Sequence, residues 1–123
     1  MISKKNFCLL INTIKAQVDS IDEVSDSMPG LAEDLYEITG PLVETLVDAI
    51  ADHMRIPDID HIGNTIEWWI WECDYGSKHP DITFKDAKTG RKRTVHITSV
   101  EKLYDYLIKY ESGVEYEVRG DKQ

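Results

Sequence analysis

All three tryptophans of the chain lie within four positions, in the segment TIEWWIWECDYG at residues 65–76, and this segment constrains the fold most. A helix, at about 100° per residue, gathers the apolar side chains of the segment within one arc. That arc holds Ile62, Ile66, Trp69, Ile70 and Cys73. Trp68 and Trp71 then point to nearly the opposite side, so a helix divides the tryptophan cluster.

A strand is the alternative for this segment, because aromatic residues are common in strands. In a strand, Trp69 and Trp71 would share one face and Trp68 would lie on the other. Residues 64–75 contain no glycine or proline, and such a run exceeds the usual strand length of about 5 to 6 residues. We therefore predict a helix, which Gly76 ends.

Trp68 and Trp71 have two interpretations. In the first, the helix is buried on both sides and the pair packs against the protein's own β-hairpin. In the second, the pair anchors another protein, because tryptophan is enriched among the residues that dominate binding energy. The predicted partner-binding residues are Glu67, Trp68, Trp71, Glu72, Asp74 and Tyr75. The flanking acids argue against stacking of single-stranded nucleic acid at this place.

Apolar spacing predicts three helices before the tryptophan segment. The first follows Ser3 as its N-cap and buries the stripe Phe7, Leu10, Ile11, Ile14, Val18 and Ile21. A short second helix is marked by Leu31, Leu35 and Ile38. Gly40 ends this helix and Pro41 begins the third. The wide apolar face of the third helix comprises Leu42, Val43, Leu46, Val47, Ile50 and Met54. Residues 55–64 are predicted to form a loop.

The C-terminal part predicts a β-hairpin, a helix and an edge strand. Apolar and polar residues alternate near positions 82–84 and 95–97, and the intervening DAKTGRK holds a glycine for the turn. Thr98 and Glu101 form a capping box that opens the last helix. The buried stripe of that helix comprises Val100, Leu103, Tyr104, Leu107 and Ile108. The residues VEYEV at 114–118 are expected to add the edge strand.

These elements predict the α+β class, with about five helices and one β-hairpin packed on them. A chain of 123 residues fits one domain, so residues 1–123 are expected to fold together. Within that domain, residues 1–76 form an acidic helical part. Residues 77–123 form the basic hairpin, the C-terminal helix and a tail.

Charge is distributed unevenly along a chain whose net charge is −9. Residues 19–81 hold sixteen acidic and two basic residues, a net −14, whereas residues 84–96 carry a net +4. The predicted acidic surface comprises Glu44, Asp48, Asp52, Asp58 and Asp60. Such a surface repels nucleic acid and favours partners with basic surfaces. Ordinary solvation of the protein is the alternative.

The basic residues of the hairpin also have two interpretations. They are Lys88, Arg91, Lys92 and Arg93. They would contact phosphates or an acidic protein patch, or they would protect the edge of the hairpin from aggregation. The sequence leaves both interpretations open.

Residue spacing argues against an enzyme. The four histidines are scattered, and no nucleophile elbow accompanies them. Asp58, Asp60 and His61 lack the spacing of structural metal sites, so no metal and no cofactor are expected. Cys8 and Cys73 lie among apolar residues, which predicts buried, reduced thiols in a bacterial cytoplasm. No signal peptide or membrane span is predicted.

The segment TIEWWIWECDYG, the basic hairpin after it and ITSVEKLYDYLIKY together resemble a group of small acidic proteins from phages and prophages of Gram-positive bacteria. This group shares a tryptophan-rich IEWW helix and a C-terminal LYDYL stretch, matched here by Thr98 and residues 103–107. The N-terminal LINTIKAQ is similar to the opening helix of the group. The resemblance implies a mobile-element context and supplies no catalytic residues.

We therefore expect a non-enzymatic phage or prophage protein that binds and inhibits a host complex handling nucleic acid. The most concrete version is an anti-CRISPR protein whose partner is the basic, nucleic-acid-binding surface of a CRISPR effector. Direct binding to nucleic acid or to a membrane is not expected. The alternatives are a homo-oligomeric phage protein, such as a homodimer used in assembly or scaffolding, and a small enzyme.

Overall fold

The computed structural model describes residues 1–54, 59–72, 81–86, 88–111 and 115–117. The helices are α1 (Lys4–Ser25), α2 (Pro29–Asp52), α3 (Ile59–Glu72) and α4 (Val100–Glu111), and the strands are β1 (Asp81–Asp86), β2 (Lys92–His96) and β3 (Glu115–Glu117). This content confirms the α+β class. The prediction of about five helices is wrong, because the described residues form four.

The chain divides into two compact units, Met1–Glu72 and Cys73–Gln123. The first, called here the helical unit, contains α1, α2 and α3, and the second, called the sheet unit, contains α4 and the three strands. Among the described residues, no helix has the length and apolar character that crossing a bilayer requires.

Helix α1 begins where its sequence predicts. The Ser3 hydroxyl accepts a hydrogen bond from the Asn6 backbone N–H at 3.1 Å, which confirms the predicted N-cap. The buried stripe of α1 comprises Phe7, Cys8, Ile11, Ile14, Val18 and Ile21. Leu10, which spacing alone assigns to the same stripe, is 43% exposed. The core face of α1 is therefore narrower than its apolar face.

Helix α2 is one continuous helix, so the predicted break between Gly40 and Pro41 is wrong. Three of its buried residues, Ala32, Val43 and Ile50, are eleven and seven residues apart. Both spacings are close to whole numbers of helical turns, so a single helix keeps these side chains on one face. Packing along that face overrides the local helix-ending signal, as tertiary context commonly does.

The N–H group of Ile2 donates to the carbonyl oxygen of His53 at 2.8 Å. The start of α1 therefore meets the end of α2, and the two helices form an antiparallel hairpin. Helix α3 packs on both helices, since it contacts each of them within the helical unit.

Helix α3 begins at Ile59, which corrects the prediction that residues 55–64 form a loop. Its buried side chains include Ile62, Ile66, Trp69 and Ile70. These are the residues that the helical period gathers, so the helix is confirmed and the strand alternative is wrong. Cys73 and the predicted stop at Gly76 lie outside the described residues.

The Lys15 ammonium group donates to the Ile70 carbonyl at 3.0 Å, in the last turn of α3, where the helix dipole favours a cation.

The sheet unit contains a three-stranded antiparallel sheet in the order β2-β1-β3. The turn between β1 and β2 is held by the Asp86 carboxylate, which accepts backbone hydrogen bonds from Lys88 at 2.8 Å and Thr89 at 3.0 Å. These bonds hold the pKa of Asp86 below its ordinary value. Gly90 has φ +73°, a conformation that favours glycine. The predicted hairpin and the predicted edge strand β3 are both confirmed.

Helix α4 is capped by a residue that the sequence pattern missed. The N–H of Lys102 donates to the Ser99 hydroxyl at 3.2 Å, so Ser99, and not Thr98, is the N-cap. The buried side chains of α4 are Val100, Leu103, Tyr104, Tyr106 and Leu107. Ile108, predicted to be buried, is half-buried.

Candidate protein-binding surface

The three tryptophans lie in different environments along α3. Trp69 is 5% exposed and belongs to the core, whereas Trp68 is half-buried and Trp71 is 37% exposed. The Trp71 ring packs against Tyr36 of α2, with ring centroids 6.2 Å apart and an angle of 56° between the rings. Such a tilted pair is favourable beyond the area that it buries. Trp71 and Tyr36 therefore form an aromatic pair that is partly open to solvent.

Sequence reasoning did not identify Tyr36 as a candidate site residue. It lies between Leu35 and Glu37, in a segment where Leu31, Leu35 and Ile38 give the helical signal. Its role follows from the packing of α3 on α2, which brings together residues 35 positions apart. Nothing in local spacing indicates that contact.

Carboxylates are concentrated on α2 and α3. Helix α2 contains six acidic residues, helix α3 contains three, and neither helix contains a lysine or arginine. Of the predicted acidic surface, Glu44, Asp48 and Asp52 are exposed on α2, and Asp60 is exposed in the first turn of α3. Asp58, Asp74 and Tyr75 lie outside the described residues. Glu72 ends α3, and its side chain is also outside that description.

Glu67 of α3 faces two carboxylates of α2. Burial raises the pKa of Glu67 above its ordinary value of 4.5, and the charges of Glu44 and Asp48 raise it further. The helices approach closely here, because a Cβ atom built on Gly63 would lie 3.8 Å from the Asp48 Oδ1 atom. Glu44, Asp48 and Glu67 therefore form a cluster of like charges at the junction of α2 and α3, called here the acidic cluster.

The acidic cluster predicts a pH dependence of stability. The folded protein holds a proton on Glu67 more readily than the unfolded chain does. Stability should therefore fall as pH rises from about 4.5 through the raised pKa of Glu67. Glu67→Gln should raise the free energy of unfolding at pH 7 by less than about 1 kcal/mol, because the site is partly solvated. The gain should vanish below pH 4, as measured by denaturant unfolding at both pH values.

Glu23→Gln is the matched control for this measurement, since Glu23 is an exposed residue of α1. That variant should not raise the free energy of unfolding at pH 7. An equal gain at pH 7 in both variants would show that net charge, and not the acidic cluster, is responsible.

The acidic residues of α2 also form a line along the helix. All six fall within an arc of about 100°; they are Glu33, Asp34, Glu37, Glu44, Asp48 and Asp52. At 1.5 Å per residue, the line is about 28 Å long. One DNA strand carries about eight phosphates over the same length, at 3.4 Å per phosphate. The line is thus sparser in charge than a nucleic acid strand but comparable in length to a short protein–DNA contact.

The sheet unit carries the basic residues Lys88, Arg91, Lys92 and Arg93, which are all exposed. Strand β2 is an edge strand, so Lys92 and Arg93 lie where charge discourages association of strands. Arg93 also lines a small cavity with Lys102 and Lys109 of α4. Asp105 lines the same cavity, so its charge is mixed. The edge position favours the protective interpretation of these residues.

No cluster of three or more potential metal-ligating side chains occurs among the residues that the structure describes. No family model, curated protein or solved structure was found to match the chain. The acidic cluster and the aromatic pair of Trp71 and Tyr36 are therefore the features of the described residues that bear most directly on function.

Proposed function

We propose that this chain is a non-enzymatic protein that binds and inhibits a host complex that handles nucleic acid. The observation that supports this proposal is the acidic cluster, on two helices that contain nine carboxylates and no lysine or arginine. Burial and, after it, the charges of Glu44 and Asp48 raise the pKa of Glu67, so the ionised cluster carries an electrostatic cost in the free protein. A cationic partner removes that cost.

A basic protein surface fits the acidic cluster better than a small ligand does. Arginine or lysine side chains near Glu67 would favour its ionised form and lower its pKa. The remaining carboxylates of α2 would steer the partner over a longer range, at rates that fall with ionic strength. Proteins that normally bind a phosphate backbone carry basic surfaces of this kind.

The aromatic pair supplies the apolar part of the interface. Trp71 and Tyr36 lie on α3 and α2, the two helices that carry the acidic cluster. Protein interfaces commonly combine a central aromatic anchor with a polar rim, and tryptophan and tyrosine are frequent among energetically dominant residues. Trp71 would serve as the anchor, and the carboxylates would form the rim.

The most concrete version of the proposal is an anti-CRISPR protein. The resemblance of residues 65–76 and 98–107 to small phage and prophage proteins suggests that context. The line of carboxylates on α2 would occupy the basic channel of a CRISPR effector in place of the nucleic acid backbone. Binding would then compete with target DNA.

A charge-reversal variant tests the proposal. Glu44→Lys combined with Asp48→Lys should weaken binding to the partner at least tenfold, because steering and contact charges are both lost. The variant should stay folded, since it removes repulsion around Glu67. A pull-down from a Gram-positive host lysate at low salt should recover a nucleic-acid-binding protein with the wild type and not with the variant. The purified partner should lose DNA binding when the wild type is added.

Glu23→Lys combined with Asp26→Lys is the matched control, because it changes the net charge equally at exposed positions near the end of α1. Binding that survives in the control and fails in the cluster variant would support the acidic cluster as the contact surface. An equal loss of binding in both variants would show that net charge, and not the acidic cluster, controls binding to the partner. Recovery of no nucleic-acid-binding protein would contradict the proposal.

A further inference from the structure

Helix α2 carries a second exposed face that contains no charge. At about 100° per residue, seven of its residues fall within an arc of about 100°. They are Leu31, Leu35, Ile38, Leu42, Thr45, Leu46 and Ala49. Ile38 is 69% exposed and Leu42 is 56% exposed, although both are large apolar side chains. The sequence pattern alone would bury this stripe.

Helix α1 has a similar uncharged face. Eight of its residues fall within an arc of about 120°, and none is acidic or basic. They are Asn6, Leu9, Leu10, Thr13, Ala16, Gln17, Ser20 and Val24. Seven are exposed and Val24 is half-buried. The charged residues of α1 all lie outside this arc.

The two uncharged arcs lie on the same side of the α1–α2 hairpin, away from α3. On α1, Lys15 marks the side that faces α3, because its ammonium group donates to the Ile70 carbonyl. The centre of the uncharged arc is rotated about 160° from Lys15 around the axis of α1. On α2, Tyr36 and Asp48 mark the side that faces α3, because both lie close to residues of that helix. The centre of the uncharged arc of α2 is rotated about 170° around the helix axis from the direction midway between these two residues. Together the two arcs form one surface, called here the uncharged face.

We propose that the uncharged face is the contact surface of a homodimer, in which the α1–α2 hairpins of two copies pack into a four-helix arrangement. This inference goes beyond the proposed function and uses a different surface from the acidic cluster. Antiparallel helical hairpins commonly bury one face of each helix in a four-helix bundle, and here the apolar residues of α2 would lie at the centre of that contact.

The area of the uncharged face suits a dimer. The 24 residues of α2 span about 36 Å. Two adjacent helices about 8 to 10 Å apart present a width of about 20 Å. The face therefore measures about 700 Å² per copy, close to the roughly 800 Å² per partner that a stable complex buries.

Charge identifies a second copy as the occupant. Residues 1–72 hold fourteen acidic and four basic residues, so the helical units of two copies repel each other where their charged surfaces meet. The uncharged face is where they can meet without opposing carboxylates, since Asp34 and Asp52 lie only at its margin. A partner recognised by its basic residues would find no acidic side chain within this face.

A two-fold axis through the middle of the uncharged arc of α2 pairs this arc with the same arc of the second copy. In an antiparallel pairing of α2 with its copy, Ile38 of each chain faces Leu42 of the other at the axis. The ends pair a large side chain, Leu31, with a small one, Ala49. The open end of the hairpin holds a cavity of about 400 Å³ lined by Met1, Leu9 and Leu10 among others. The pairing places the loop end of the second copy over this cavity.

Light scattering of the full chain during size-exclusion chromatography tests the proposal. The wild type should have twice the chain mass of 14.1 kDa at micromolar concentrations. Ile38→Glu combined with Leu42→Glu should convert it to a monomer, because four carboxylates would then meet at the axis. The melting temperature of the variant should no longer depend on protein concentration, whereas that of the wild type should rise with it.

Lys5→Glu is the matched control, since it changes the net charge by the same −2 per copy, at an exposed position of α1 outside the uncharged face. It should remain a dimer. A monomeric wild type, or a double variant that stays dimeric, would overturn the proposal. A monomer that sediments with phosphatidylcholine vesicles would assign the face to lipid instead. A monomer whose double variant melts far below the wild type would show that the chain's own residues cover the face.

Discussion

Trp69→Ala should lower the free energy of unfolding of the helical unit by about 3 to 5 kcal/mol. Trp69 is 5% exposed and lies among Ile62, Ile66 and Ile70 of its own helix, all of which are fully buried. Its removal loses the transfer energy of the largest side chain and leaves a cavity that three packed helices cannot fill. The melting temperature should fall by roughly 15 °C or more, measured by circular dichroism or calorimetry.

Trp71→Ala is the matched control, two positions along the same helix. Trp71 is 37% exposed and therefore buries less area than Trp69, and it also loses its ring contact with Tyr36, so the expected cost is about 1 to 2 kcal/mol. The informative quantity is the loss in free energy of unfolding for Trp69→Ala relative to the loss for Trp71→Ala. Equal costs would show that Trp71 is covered by other parts of the protein, as in the interpretation that packs it beneath the hairpin, and would remove it as a candidate anchor.

Replacement of Gly40 and Pro41 by alanine should stabilise the protein by about 2 kcal/mol in total. Both residues lie inside α2, where glycine costs about 1 kcal/mol and proline about 3 kcal/mol relative to alanine. The loss of proline also gives the unfolded chain more freedom, which offsets part of the gain. A Cβ atom at Gly40 meets no other atom within 4 Å, so alanine fits there.

The sign of this effect distinguishes one helix from two. If Gly40 ended one helix and Pro41 began another, both residues would suit their positions and alanine would destabilise the protein. Gly90→Ala is a control for the method, because φ at Gly90 is +73° and alanine is strained there. Urea unfolding should show stabilisation for the α2 double variant and destabilisation for Gly90→Ala. Destabilisation of the double variant would contradict a continuous α2.

The two proposed surfaces are compatible with each other. The uncharged face lies on the side of the α1–α2 hairpin away from α3, whereas the acidic cluster lies where α2 meets α3. A dimer formed through the uncharged face would keep both acidic clusters exposed at a distance from the contact. Such a dimer would present two binding surfaces, and a partner with two basic sites would be held more tightly than by one copy.

Much of the helical unit could be predicted from local spacing. The helical period placed Trp69 in the core with Ile66 and Ile70, and Ser3 was recognised as a cap.

In the sheet unit, the cap of α4 was misplaced by one residue, because Thr98 and Ser99 offer the same hydroxyl chemistry. Only the backbone conformation at the helix start selects between two such neighbours.

The candidate site was predicted less completely. Glu44, Asp48, Glu67 and Trp71 were identified individually, but no sequence pattern indicated that α2 brings the first two carboxylates to Glu67. Tyr36 was missed for the same reason. The helix predicted to begin at Pro41 was expected to have one wide apolar face, and the structure divides that face into buried Val43 and Val47 and exposed Leu42 and Leu46.

The sequence by itself determined the helical period of the tryptophan segment, the hairpin turn at Asp86 and Gly90, and the separation of acidic and basic charge. The first two features depend on residues close together in the chain, whose chemistry is sufficient to select a backbone conformation, and the third follows directly from the order of charged residues. Only the tertiary structure decided that α2 continues through Pro41 and which of its apolar residues are buried. Those outcomes depend on how much area distant helices bury together, and that energy exceeds the local preference of any single residue.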